Sequence, residues 1–191
     1  PDSDQILIDE ILQGNENVFK QLVEKYQAMV TSTCMGFLHS KEDSEDIAQE
    51  VFIEVYNSLK KFRKEARLST WMYRIAVNKS LNFLRSRNRR KWIQHIEDLV
   101  GISGNNPGQV MERHDPGIDL EEKETAEILH RSVSSLPENQ RIAITLNKYE
   151  ELSYAEIAEI MGVSLSSVES LIHRAKMNLQ KKLLKVYKNI N

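Results

Sequence analysis

The sequence predicts an all-α protein of two small helical domains joined by a flexible linker, the second built around a helix-turn-helix. Three observations carry this. Apolar residues recur at i, i+3 and i+4 along most of the chain, and no alternating run is long enough for a sheet. Between Ile93 and Asp119 the pattern lapses, and four of the seven Gly and two of the four Pro fall there. Near the C-terminus a short apolar stripe, a glycine and a longer stripe follow one another. The predicted division is 1–92, a linker over 93–119, and 120–191.

Ile6, Leu7, Ile11 and Leu12 make a short amphipathic helix that stops at Gly14. Asn15 is placed to cap the next, whose Val18, Phe19, Leu22, Val23, Tyr26, Met29, Val30, Met35 and Leu38 share a face. A third helix runs from about Ser44 to Leu59 with Ile47, Ala48, Val51, Phe52 and Val55 inward. Ser69 or Thr70 caps a fourth, which buries Trp71, Ile75, Ala76, Leu81 and Leu84. The stretch Gly101–Ile102–Ser103–Gly104–Asn105–Asn106–Pro107–Gly108 cannot bury enough apolar surface to offset its ordering entropy. Helical signals return at Leu120 with Ile128, Leu129, Val133 and Leu136, and Pro137 opens a further helix carrying Ile142, Ala143, Ile144 and Leu146.

The net charge of -2 hides a strong polarity. Residues 1–59 carry -9, Lys60–Trp92 carry +11 with Glu65 the single acid, 93–135 carry -6 and 136–191 carry +2. One stretch therefore suits a polyanion, and its acidic flank suits a basic partner. A single cysteine, Cys34, excludes an intramolecular disulfide framework. No Cys–His cluster has zinc-ligand spacing, and no cofactor is expected. Nothing reads as a signal peptide or a membrane span, so a cytoplasmic location is expected.

Ser153–Tyr154–Ala155–Glu156 has the capping-box pattern. Ile157, Ala158, Ile160 and Met161 follow, Gly162 breaks the helix and Val163 is expected as a buried turn residue. Ser164 then caps a longer helix with Leu165, Val168, Leu171, Ile172, Ala175 and Leu179 inward. This is the helix-turn-helix plan, whose second helix enters the DNA major groove. An αα-hairpin used only for packing would share the spacing. The outward residues Ser166, Ser167, Glu169, Ser170, His173, Arg174 and Lys176 favour DNA, since Arg174 or His173 can donate to guanine or phosphate. Glu169 accepts from cytosine but repels phosphate.

In the first domain, cations and aromatics interleave from Phe62 through Arg63, Lys64, Arg67, Trp71, Tyr73 and Arg74 to Asn78 and Lys79. Cations neutralise phosphates, and aromatic faces stack on unpaired bases, which suits DNA being opened. A helix from Thr70 to Lys91 is about 33 Å long and can follow several phosphates, with Arg85 and Arg87 among the contacts. Trp71 sits at core spacing with Ile75, whereas Phe62, ahead of the cap, is the stacking candidate.

Four blocks now stand in order: Asp46–Ile47–Ala48–Gln49–Glu50–Val51–Phe52, Ser69 through Asn78, Leu136–Pro137–Glu138–Asn139–Gln140–Arg141, and Leu152 through Ala158 with Ser167 through Lys176. Together they resemble the blocks of extracytoplasmic-function sigma factors of bacterial RNA polymerase. The resemblance implies that the first domain binds the polymerase clamp through the face bearing Asp43, Asp46, Gln49 and Glu50. It further implies that this domain reads and helps melt the minus-ten element, with Phe62 and Asn78 lining the pocket for a flipped base. Asn78 offers a donor and an acceptor for a base edge. The second domain is then similar to the minus-thirty-five reader, with Ser170, His173 and Arg174 facing the groove. Here Ser166–Ser167–Val168–Glu169–Ser170–Leu171 departs from the commoner Gly-Thr-Val, basic residue, Ser, Arg. Two cations are missing, so promoter bases do not transfer from a relative. The partners implied are bacterial core RNA polymerase, promoter DNA and, as usual in the family, an anti-sigma factor; no small-molecule substrate is implied.

Linker reach agrees. Promoter elements more than two helical turns apart are separated by roughly 75 Å. The 27 residues from Ile93 to Asp119 extend to about 90 Å but average about 29 Å as a coil. The linker reaches only when held extended, as by threading through polymerase.

A stand-alone helix-turn-helix regulator explains the C-terminal motif but not the basic, aromatic-rich first-domain helix. A carboxylate-bridged metal enzyme needs two Glu-x-x-His pairs and two further Glu. Only Glu127–Ile128–Leu129–His130 is present. Phosphate loops and nucleophile elbows are also absent, so no enzyme is expected.

Overall fold

Helical periodicity becomes helix throughout. The computed structural model describes the backbone of residues 3–62, 66–100 and 120–190, and side chains within 3–62, 66–94 and 124–186. Arg63, Lys64 and most of the expected linker lie outside the described residues. In order, the helices are α1 (Ser3–Leu12), α2 (Glu16–Leu38), α3 (Lys41–Ser58), a 3₁₀ turn (Leu59–Lys61), α4 (Leu68–Val100), α5 (Leu120–Ser134), α6 (Glu138–Tyr149), α7 (Tyr154–Met161) and α8 (Leu165–Ile190). Among the described residues there is no strand.

α2, α3 and α4 pack mutually to form the first unit, with α1 laid on α2. Leu22, Val30, Val51, Val55, Leu59 and Met72 are fully buried at its centre. Each such side chain contributes about 1.5–3 kcal/mol through removal from water. α5 and α6 join the hairpin of α7 and α8 to form the second unit around Leu146, Ile157, Val168, Ile172 and Ala175. The two units also touch directly, α2 on α6 and α4 on α7, and their apolar cores are continuous.

Several boundaries differ from the expectation for physical reasons. Ser40 rather than Ser44 sets the start of α3: its side chain accepts from the Asp43 amide at 3.3 Å, while Ser44 is buried and donates to the Ser40 carbonyl at 2.5 Å. Asn15 occupies the cap position of α2, but its side chain makes no capping bond and donates to Glu10 at 3.4 Å instead. α4 begins at Leu68, which puts Ser69 and Thr70 inside the first turn rather than at the cap. α4 also continues through Val100, so the first residues of the expected linker are helical. Pro137 sits at the cap position, one residue before α6. Val163 is 38% exposed rather than buried.

Candidate nucleic-acid interface

The helix-turn-helix forms as its sequence dictates. Ser153 accepts from the Glu156 amide at 3.3 Å, and Glu156 accepts from the Ser153 amide at 2.9 Å, closing the capping box. The Ser153 hydroxyl, which donates to the Glu156 carboxylate at 2.7 Å, and the Ser153 amide together hold that carboxyl below its usual range. Gly162 takes a left-handed φ of +66° and turns the chain, a conformation in which a Cβ is strained. Ser164 then accepts from the Ser167 amide at 3.2 Å and starts α8.

α8 buries Val168, Ile172 and Ala175 and turns Ser166, Glu169, Ser170, His173, Arg174 and Lys176 to solvent. Of the candidate minus-thirty-five residues, Ser170, His173, Arg174 and Lys176 therefore share an open surface. Ser167 is half-buried, with its hydroxyl 2.8 Å from that of Ser164. Arg174 makes one weak bond, to the Ser170 carbonyl of its own helix at 3.3 Å. Its remaining donors are free for bases or phosphates.

The first-unit residues are in a different state. Phe62 is half-buried, with its ring centroid 5.1 Å from that of Trp71, so stacking on a base requires it to leave that contact. Arg67 is exposed and its field acts on Glu156 of α7. Arg74 donates to the carbonyls of Glu159 at 2.5 Å and Ile160 at 3.1 Å, both at the C-terminal end of α7. Asn78 opens on a cleft of about 370 Å³ shared with Asn139, Ile142, Ile160 and Met161. Arg85 pairs with Glu138 of α6 at 2.5 Å.

Other candidate cations are tied to the candidate polymerase-binding acids. Lys79 lies 3.6 Å from Glu50 and 3.8 Å from Glu54. Arg87 lies 3.4 Å from Asp43 and over the Phe83 ring. Asp46, Gln49 and Glu50 are exposed along α3, one turn apart, as docking on a partner requires. The i+3 continuation of that line is Ile53, 61% exposed, beside a shallow apolar groove with Phe19, Phe52 and Tyr56. The composition of this helix signals its acids; the solvated Ile53 is indistinguishable in sequence from a core residue.

No described helix is long and apolar enough to cross a membrane. No cluster of three or more metal-ligating side chains occurs among the described residues.

Comparison with known proteins gives this geometry a family. Residues 22–90 match Sigma-70 region 2, and residues 126–179 match Sigma-70, region 4. The chain is 35% identical over 181 residues to the ECF RNA polymerase sigma-E factor of Escherichia coli (strain K12), covering 95% of this chain and 94% of that protein. It is 34% identical over 184 residues to the RNA polymerase sigma-H factor of Pseudomonas aeruginosa, with 95% and 94% covered. In fold it is similar to CnrH in its complex with the cytosolic domain of CnrY (TM-score 0.66, 23% identity, 97% and 99% covered). It also matches the fold of the sigma factor RpoE of Bartonella quintana in complex with the anti-sigma factor NepR (TM-score 0.57, 22% identity, 86% and 96% covered). With regions 2 and 4 in order on two helical units and ECF relatives matched almost end to end, the chain belongs to the sigma-70 family, among its ECF sigma factors.

Proposed function

We propose that this chain directs bacterial core RNA polymerase to a specific set of promoters, with the division of labour read from its residues. The observation that carries it is the pairing of a region 2 match on the basic helix α4 with a region 4 match on an open helix-turn-helix. A stand-alone regulator needs only the second. The chain is a transcription-initiation factor and not an enzyme.

In this reading the exposed Asp46–Gln49–Glu50 line of α3, with Asp43 beside it, docks on a basic helical surface of the polymerase clamp. Phe62, Arg67, Arg74, Asn78, Lys79, Arg85 and Arg87, with Arg63 and Lys64 in the preceding loop, serve the minus-ten element. Cations hold the phosphates, and the amide of Asn78 reads a base edge as it leaves the stack. α8 lies in the major groove at minus thirty-five with Ser170, His173, Arg174 and Lys176 toward the DNA and Ser167 bracing its first turn. Polymerase, rather than the chain itself, holds the two units a promoter spacing apart.

The protein acts in the cytoplasm, where the polymerase is. The Bartonella RpoE is seen with the anti-sigma factor NepR, and CnrH with the cytosolic domain of CnrY; an anti-sigma factor is proposed as the regulator here. The test is core binding followed by run-off transcription on a promoter pool. Saturable binding with new start sites is expected. Duplex binding without core binding would favour the stand-alone regulator.

A further inference from the structure

We propose that Glu169 is a specificity-determining residue of the second unit: its carboxylate reads the amino group of a cytosine in the major groove at minus thirty-five and turns guanine away from the same position. The inference rests on the placing of α8 in that groove.

Charge along α8 divides at Arg174. From Leu165 to Ile172 the one charged residue is Glu169, whereas from Arg174 to Lys185 there are five cations, Arg174, Lys176, Lys181, Lys182 and Lys185, and no acid. Phosphate attraction therefore belongs to the later turns, and the first two turns enter the groove with a negative charge. In a helix-turn-helix it is the leading residues of the second helix that reach base edges.

Glu169 lies on that leading part. Val168, Ile172 and Ala175 point into the core, and Glu169 shares the exposed side with Ser166, Ser170 and His173. Ser166 stands three residues before it and His173 four after, so these side chains form one patch with Ser170.

Nothing within the chain accounts for an acid at this place. Among the described residues Glu169 makes no ion pair and no hydrogen bond, although His173 and Lys176 lie one and two turns on. The helix dipole favours carboxylates chiefly in the first turn, and the cap at Ser164 puts Glu169 in the second. Ser166 and Ser167 keep their hydroxyls 3.1 and 2.8 Å from that of Ser164. Glu169 and Ser170 are thus the uncommitted polar side chains of these turns.

A carboxylate only accepts, and this fixes its choice of base. The major groove offers two amino donors, cytosine N4 and adenine N6, whereas guanine presents N7 and O6 and thymine presents O4, all acceptors that repel it. Cytosine suits it better than adenine. Adenine N6 is flanked by its own N7 and by O4 of the paired thymine, while cytosine N4 has an acceptor on one side only, O6 of the paired guanine. Guanine at this position both withholds the hydrogen bond and sets two acceptors against the carboxylate, so exclusion contributes as much as selection.

The test uses the full chain with core polymerase and a promoter library randomised across minus thirty-five, read by sequencing the templates retained in polymerase complexes. The unaltered chain should enrich cytosine over guanine about tenfold at one position. Glu169→Gln should move the preference there to adenine, and Glu169→Arg to guanine, through a bidentate bond to O6 and N7. Glu169→Ala should level the four bases at that position to within about twofold, with every other position unchanged. Surface substitutions of this kind leave the fold intact, so the readout is base choice alone.

An unaltered base profile in all three variants would overturn the proposal. So would binding that rises equally on every promoter once the charge is removed, because Glu169 would then be a solvated charge that only repels phosphate. Arg174→Ala separates this from failure of the groove contact itself. If Arg174→Ala weakens or reshapes minus-thirty-five selection while Glu169→Ala does not, α8 reads the groove without Glu169. If neither changes it, α8 is not the reader.

Discussion

His39 stacks on His130 with ring centroids 3.8 Å apart and ring planes within 6° of parallel. The first ends α2 in the left-handed conformation, at φ 53°, and the second lies on α5. The pair thus bridges the two units. Tyr149 of α6 flanks it, tilted, 5.9 Å from His39. Burial, reinforced by the facing His130, pushes His39 down to about 4. Burial also lowers His130, against the pull of Glu127 one turn away. Both rings are neutral when stacked at pH 7.

Acid should therefore part the units. A histidine whose pKa falls on closing binds fewer protons in the closed state, so the contribution of the pair is intact above the ordinary histidine range and is lost as pH falls from 6.5 toward 4. For His39 alone the closed-to-open ratio drops up to about tenfold by about pH 5.5. Small-angle scattering between about pH 7.5 and 5.5 should show the radius of gyration rising, and His39→Gln should flatten that dependence. A radius constant across the range would remove the pair from the interface balance.

Gly36 offers a steric route to the same end. It is helical, so its requirement comes from the approach of α6 and not from backbone strain. Gly36→Leu puts a branched side chain where Thr145 and Tyr149 already stand, and overpacking of this kind typically costs about 1–3 kcal/mol. Since each unit has its own buried centre, the strain should be relieved by separation and not by unfolding. An enlarged hydrodynamic radius with unchanged helical circular dichroism is expected; loss of helix would place Gly36 in the core of the first unit instead.

Much of this architecture could be read in advance, and what escaped has identifiable causes. The capping box Ser153–Glu156 and the turn at Gly162 are local chemistry, and both form as expected. Caps with rivals nearby were harder: Ser40 and Ser44 offer the same hydroxyl, and burial assigns one to the cap and the other to a core hydrogen bond. The extent of α4 was harder to read because the polar, cation-rich run Arg85–Lys91 interrupts its apolar stripe before Trp92, Ile93, Ile96 and Leu99 resume it. Least legible was the contact between units. Arg74 reads as a phosphate ligand by charge and spacing, and nothing local reveals that its acceptors are carbonyls 85 and 86 positions away.

Arg85 and Arg87 should part company in their salt dependence. Arg85 is exposed and held only by Asn82 and Glu138, so it is released to phosphate when the units open. Arg87 packs over Phe83 and pairs with Asp43 within the same unit. Arg85→Ala should reduce the magnitude of the salt slope of promoter-complex formation by about 1. Arg87→Ala, which removes a guanidinium already shared with Asp43, should change the slope by clearly less and cost about 0.5–1 kcal/mol of unfolding free energy, as partly exposed pairs do. Titration of complex formation against salt, beside thermal melts, separates the two; equal slope changes would show that Arg87 also leaves Asp43 for DNA.

Asn78 tests base reading itself. Its side chain sits one turn beyond Arg74 on an exposed line of α4, with a donor and an acceptor and no partner in its helix dedicated to them. A base edge offers the complementary pair, and one such bidentate contact discriminates by about 1–3 kcal/mol. Asn78→Ala should therefore broaden the bases selected at one minus-ten position by about tenfold or more while lowering overall promoter affinity far less, because affinity comes mainly from phosphates. Asn78→Asp retains the acceptor and loses the donors, so it should shift preference toward bases that present an amino group, and its added charge should weaken all promoters alike. Selection from a randomised minus-ten library with each variant distinguishes these outcomes. An unaltered base profile in Asn78→Ala would assign the residue to the closed cleft beside Ile160 and Met161 rather than to the promoter.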